Sequence, residues 1–113
     1  MHEVSIVYDI IQIAEDNSKL NNINKINKVF VKIGKFTCIN ETSINFAFEI
    51  LSKNTLCQGA LLDIEIVKGK AKCNACNEEF FINFTNKLCP KCGCYSNNVI
   101  SGYEMLIYAI EGF

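Results

Sequence analysis

The sequence predicts an α/β (α+β) fold, with two helices on a three-stranded mixed sheet and an inserted zinc-ribbon module. Three observations predict it. Helical apolar periodicity occurs twice, extended apolar runs occur three times, and both patterns break between Lys70 and Asn97, where cysteines cluster. With 113 residues, 50% of them hydrophobic and 20% charged, the chain has the material for one compact body and a small attached module.

The first helix is read between Glu3 and Asp16, where Val4, Val7, Ile10, Ile11 and Ala14 recur at the spacing that lays one apolar stripe on a core. It is expected to stop at Asp16–Ser18, with the Asn-rich stretch to Asn27 as a loop. Lys28–Gly34 alternates, Val29, Val31 and Ile33 against Lys28 and Lys32, as a half-buried strand does. Asn40 is placed to cap a second helix, with Glu41 in its first turn and the stripe Ile44, Ala47, Phe48 and Leu51. Leu62–Val67 alternates again and gives a second strand. Tyr103–Ile110 is apolar on both sides, the pattern of a strand inside a sheet. The six glycines fall at the joints. The main domain is therefore split in sequence, residues 1–69 plus 98–113, around a module of residues 70–97.

Composition excludes several classes. The formal net charge is −1 and there is no arginine, which speaks against a protein built to grip phosphate backbones. There is no glycine-rich phosphate loop. The only histidine is His2, so no serine or cysteine can pair with an internal imidazole base, and no enzyme is predicted. Met1–Asp16 holds four carboxylates and no lysine, unlike a secretory signal. No run approaches the ~18 apolar residues of a membrane span. A reducing cytoplasm is the expected location, where clustered cysteines bind metal more often than they form disulfides.

Seven cysteines are unusual in so short a chain, and four of them have a pattern. Cys73 and Cys76 form one C-x-x-C unit; after twelve residues Cys89 and Cys92 form another. Four thiolates at this spacing suit tetrahedral Zn²⁺ and leave no open coordination position, so the site is expected to be structural. Iron in the same four-sulfur cage is the chemical rival, because ligand count does not choose between the two metals. The residue after each knuckle takes a left-handed backbone, which Gly93 and Asn77 tolerate. Glu79–Phe84 alternates enough for a short hairpin strand. Cys94 reads as a spare thiol, and Cys38 and Cys57 as small core hydrophobes. Lys70, Lys72, Lys87 and Lys91, Glu78 and Glu79, the divalent ion and four thiolates cancel in charge, so the module gives no support to nucleic-acid binding.

His2 precedes Glu3 at a helix start, where backbone N–H groups have no intrahelical partner. A terminal amine, free amides and an imidazole within two residues can wrap a small divalent ion, and nitrogen donors in a square plane suit Ni(II) or Cu(II).

Met1-His2-Glu3, the strand ending Ile33-Gly34, the helical stretch Phe46–Glu49, the cysteine module and the run Ser101–Glu104 together resemble the HypA/HybF family over essentially the whole chain. The resemblance implies a nickel metallochaperone of [NiFe] hydrogenase maturation, with a nickel-binding domain and a zinc domain. It implies nickel ligation by the Met1 amine, the His2 imidazole and amide and the Glu3 amide, with nickel as transferred cargo. Cys73, Cys76, Cys89 and Cys92 match the family's structural zinc ligands. Implied partners are the accessory GTPase HypB and the hydrogenase large-subunit precursor, with urease a client of some members; no nucleic acid or membrane span is expected, and the chain should be a monomer or weak homodimer. The chain lacks any histidine near its cysteines, so it has no imidazole to offer there. A zinc-ribbon adaptor of transcription or translation and a four-cysteine iron electron carrier are the competing functions from other classes.

Overall fold

The structure, a computed structural model, describes residues 3–113. Helix α1 (Glu3–Leu20) buries Ile6, Val7, Ile10, Ile11, Ala14 and Ser18. It runs past the expected stop. Asn17 and Asn21 turn their side-chain amides back to the carbonyls of Ile13 and Asn17, at 2.9 and 2.8 Å, so residues that usually compete with helix here support its last turn. Val4, expected on the buried stripe, is exposed, and Ile6 is buried.

Strand β1 (Ile26–Gly34) buries Ile26, Val29, Val31 and Ile33, the alternation expected of it with two more residues at its start. A short 3-10 turn (Lys35–Thr37) leads to α2 (Glu41–Leu51), whose stripe is anchored by buried Ile44 and Phe48. Asn40 caps α2 as expected, its Oδ1 accepting from the Ser43 amide at 3.0 Å. The helices α1 and α2 pack on each other.

Strand β2 (Leu61–Val67) follows, then three short strands, β3 (Lys70–Lys72), β4 (Glu79–Phe81) and β5 (Val99–Ser101), and finally β6 (Met105–Gly112). One sheet has the order β2-β1-β6. It is mixed. Lys28 pairs with Asp63 at 3.5 Å and Lys32 with Glu65 at 3.9 Å, numbers that rise together, so β1 and β2 run parallel with α2 in their crossover. Against β6 the direction reverses: Gly34 donates to Glu104 O, whereas Phe113 donates to Lys25 O. The expectation that the last strand lies inside the sheet is therefore corrected. β1 is the interior strand and β6 is an edge, where Leu106 and Tyr108 stay 44% and 47% exposed.

The chain divides into two compact units, the first comprising the chain as far as Lys32 with Ile39–Glu65 and Leu106–Phe113, the second Ile33–Cys38 with Ile66–Met105. The second holds an antiparallel sheet of order β4-β3-β5, in which Ala71 faces Phe80 and Lys72 faces Glu79. Its hairpin strand is shorter than the expected Glu79–Phe84. Asn83 ends it by turning its carboxamide oxygen onto the amides of Thr85 and Asn86, at 2.9 and 2.7 Å. Neither its partner β3 nor the third strand β5, which pairs with β3, has a counterpart in the sequence expectation.

Phe36, Ala71, Cys73, Phe80, Ile82 and Cys89 form the core of this unit. Phe36 makes an edge contact with Phe84 at 4.9 Å between ring centroids and a tilted one with Tyr103 at 5.4 Å. Gly102, at φ +119°, passes so close to Phe36 that a Cβ would lie 2.6 Å from the ring. Gly34 has a different reason to be glycine: any Cβ would strike the Gly102 carbonyl group.

Candidate metal centre

Two knuckles of the same shape present the cysteines. In the first, the Asn77 amide donates to Cys73 O at 2.9 Å and the Cys73 amide to Glu78 O at 2.8 Å. In the second, Gly93 donates to Cys89 O and Cys89 to Cys94 O, both at 2.8 Å. Each loop thus closes on itself with the same pair of bonds, turning backbone N–H groups towards the sulfur side. The turn needs a left-handed residue after the second cysteine of each unit. Asn77 (φ 63°) and Gly93 (φ 76°) take that conformation, as the sequence leads one to expect. The ladder repeats as well: Lys72 pairs with Glu79 before and after the first knuckle, and Leu88 with Tyr95 around the second.

The four sulfurs converge. Cys73 Sγ lies 3.4 Å from Cys92 Sγ, Cys76 Sγ lies 3.6 Å from Cys89 Sγ, and all four atoms fall within 4.8 Å of one another. A tetrahedron of thiolates about 2.3 Å from a zinc ion has edges of roughly 3.8 Å, so the four sulfurs stand close to the separations such an ion requires. The close pairs run between the knuckles rather than within them. No disulfide joins any of these cysteines.

Charge gives a second reason for a cation. Amide donation from Cys76, reinforced by the Ala75 amide and by the Cys92 and Cys76 thiols, holds the Cys73 thiol at about 6 despite burial. The Cys94 amide favours a thiolate at Cys92 too, but the neighbouring Cys73, burial and the Cys94 thiol outweigh it and push Cys92 up to about 12. Cys76 is also raised: the Glu78 amide favours its thiolate, and burial with hydrogen bonds to Cys89 and Cys73 wins. The cage accepts one negative charge readily and resists the next. A bound divalent ion removes that resistance.

Support around the cage is mostly apolar. Cys73 and Cys89 are buried in the core with Phe36, Phe80 and Ile82, Cys76 is half-buried, and Cys92 is exposed. Ser96, buried, donates its hydroxyl to Lys72 O at 2.7 Å and so ties the chain after the second knuckle to β3. Glu78 and Lys91 join the knuckles across an exposed 3.9 Å ion pair, worth at most about 1 kcal/mol. Sequence reasoning missed Phe36 and Ser96 as supports. The only sequence signal for Phe36 was its place between Gly34 and a polar turn.

The other sequence-derived candidates separate. Cys94 is exposed and its sulfur is not one of the four that converge. Cys57 is buried, its thiol pushed up to about 11 by burial and by Glu15, against Lys25 and Thr55, and it packs as a core residue. Cys38 corrects the expectation of core packing. It ends the 3-10 turn at φ 58° and is exposed. Met1 and His2 lie outside the described residues. Glu3, the third expected nickel ligand, is half-buried as the first residue of α1.

The profile of the family described as "Hydrogenase/urease nickel incorporation, metallochaperone, hypA" matches residues 1–112. The chain is 32% identical over 111 residues to the hydrogenase maturation factor HybF of Proteus vulgaris, covering 98% of each sequence. It is 35% identical over 111 residues to the hydrogenase maturation factor HypA of Aquifex aeolicus (strain VF5), covering 98% of this chain and 96% of that one. Among solved structures it is similar to the solution structure of the Ni metallochaperone HypA from Helicobacter pylori, with a TM-score of 0.72, 34% identity, and coverage of 99% and 97%.

Proposed function

Because this chain belongs to the HypA/HybF family of hydrogenase and urease nickel-incorporation proteins, we propose that it binds Ni(II) at its N-terminus and delivers it to the [NiFe] hydrogenase large-subunit precursor. The observation that carries this reading is the match of the nickel-incorporation profile over residues 1–112, which takes in Met1-His2-Glu3. The nickel ligands are the Met1 amine, the imidazole and amide of His2 and the amide of Glu3. Nitrogen donors of this kind suit square-planar Ni(II). An open terminal site suits delivery, since an ion wrapped by a few terminal groups can be handed on without unfolding a domain.

Zinc is held by Cys73, Cys76, Cys89 and Cys92 and supplies a structural cross-link between the two knuckles. The converging sulfurs and the raised thiols at Cys76 and Cys92 support this assignment. Residues 1–69 with 98–113 serve as the nickel domain and residues 70–97 as the zinc domain. The accessory GTPase HypB is the docking partner during transfer, and urease a second client. The cytoplasm is the compartment of this work. Among the described residues no helix is long and apolar enough to cross a membrane.

Transfer is the direct test. The chain carrying one equivalent of nickel is mixed with nickel-free precursor, with and without the GTPase, and the nickel in the precursor is counted. Faster loading than from the same concentration of free nickel salt supports delivery. Loading no faster than from free salt rejects it.

A further inference from the structure

The two knuckles share one backbone plan and differ at one side chain. In each, the amide of the first cysteine donates to the carbonyl two places after the second, Cys73 to Glu78 O and Cys89 to Cys94 O. Glu78 uses that place to pair with Lys91 across the knuckles. Cys94 puts a thiol there instead. The thiol is exposed and stands outside the four that converge, so it serves neither the core nor the cage.

Its neighbour is the open corner of the cage. Cys73 and Cys89 are only 1% and 2% exposed and Cys76 is half-buried, whereas Cys92 is exposed. Gly93 alone, at φ 76°, separates Cys92 from Cys94, and the two side chains interact across it. A single left-handed residue sets its neighbours' Cα atoms roughly 5.5 Å apart, the usual separation in a disulfide. Nothing lies within 4 Å of where a Gly93 Cβ would stand, so the turn is open to solvent. Beyond it Leu88 pairs with Tyr95, and the Ser96 amide donates to Lys87 O at 3.0 Å, which holds Cys94 beside the corner.

We propose that Cys92 and Cys94 form an oxidative modification site, joined as a disulfide by peroxide, and that this bond opens the zinc cage. The pairing rests on the zinc assignment proposed above, because a bound ion keeps Cys92 a thiolate. That thiolate attacks one oxygen of hydrogen peroxide; the O–O bond breaks, hydroxide leaves, and the sulfur becomes a sulfenic acid. The Cys94 sulfur then attacks the sulfenic sulfur. An S–S bond forms, the S–O bond breaks, and the departing hydroxide leaves as water with the Cys94 proton. The two sulfurs give up two electrons in all, and the peroxide takes them. Three thiolates remain for zinc, one short of a closed structural site, so the ion is readily lost.

Cys73 is the competitor, its Sγ 3.4 Å from that of Cys92. Its sulfur is committed to the ion and lies in the core with Phe36, Phe80 and Ile82. Cys94, free and exposed, is the thiol that resolves the sulfenic acid. Exposed disulfides of this kind are the labile class, so thiol reductants reverse the bond.

Trypsin cuts after Lys91 and meets no further lysine, so residues 92–113 form one peptide whose only cysteines are Cys92 and Cys94. The full chain with Cys38→Ser, its zinc counted beforehand, is treated with one equivalent of hydrogen peroxide, alkylated and digested. Zinc release is followed with a chromogenic chelator. Peptide 92–113 should lose two hydrogens and escape alkylation as zinc is released, and dithiothreitol with added zinc should restore both. Cys94→Ser should release zinc about tenfold more slowly, with a sulfenic acid at Cys92 that dimedone traps. Release from Cys94→Ser as fast as from the parent would overturn the proposal, as would peptide 92–113 linked to the peptide of Cys73 or Cys89. A preparation without zinc at the outset would reject the zinc assignment instead, and the mass of the same peptide would still decide whether the pair forms.

Discussion

Cys73 Sγ sits 3.4 Å from Cys92 Sγ, so the shortest sulfur contact of the cage joins the first cysteine of one knuckle to the last of the other. Neither knuckle can hold its shape around an ion alone. Cys73→Ser or Cys92→Ser should therefore lose zinc and unfold the module, since metal binding supplies much of the folding free energy of such small units. Cys94→Ser should retain about one zinc per chain, as four thiolates already complete the ion's shell. Metal content with circular dichroism distinguishes them, and loss of zinc from Cys94→Ser would move the ligand assignment from Cys92 to Cys94.

The seven thiols should react in three classes. With zinc bound, Cys38 and Cys94 alkylate quickly because they are exposed outside the cage, the four cage thiols only after chelation, and Cys57 only on unfolding. Burial pushes the Cys57 thiol up to about 11 from 9.0, so the folded chain holds that proton more tightly than the unfolded one. The corresponding stability is complete below pH 9 and is lost as pH rises from 9 towards 11. Denaturant titrations across that window should show a loss of about 2 kcal/mol that Cys57→Ala does not share.

Ser18 tests the end of α1. Its side chain is buried and its Oγ has no hydrogen-bond partner among the described residues. Ser18→Ala should raise stability by about 1 kcal/mol, because it removes an unsatisfied buried hydroxyl and adds the best helix former. A fall in melting temperature would show that the hydroxyl is satisfied after all.

Glycines 34 and 59 should respond differently to alanine. Gly34→Ala drives a Cβ into the backbone of Gly102 and should cost about 3 kcal/mol or more. Gly59 (φ +78°) faces open space, so Gly59→Ala should cost only about 1 kcal/mol of backbone strain. Equal losses at the two positions would mean that space around Gly34 is not the constraint.

The parts legible in the sequence were those governed by local chemistry. Asn40 caps α2 because a short polar side chain before an apolar stripe has one obvious use, and Asn77 and Gly93 turn under the cage because few residues tolerate φ > 0. The parts missed depend on distant contacts. Polar spelling hid the last turn of α1, where Asn17 and Asn21 bond backwards along the helix. Apolar residues on both faces of β6 suggested an interior strand, but strand order is set by which neighbours pair, and periodicity does not encode that. Nothing near Phe36 in sequence announces that its ring packs in the core beside Cys73 and Cys89.

Counting both metals on one preparation tests the central claim most directly. The chain purified with its native start, equilibrated with nickel and freed of excess, should contain about one zinc and, separately, one weaker equivalent of nickel. His2→Ala, and residues added before Met1, should each abolish the nickel and leave the zinc unchanged. Nickel retained in full by both variants would contradict the N-terminal site, and a red, redox-active preparation holding iron in place of zinc would contradict the cysteine assignment.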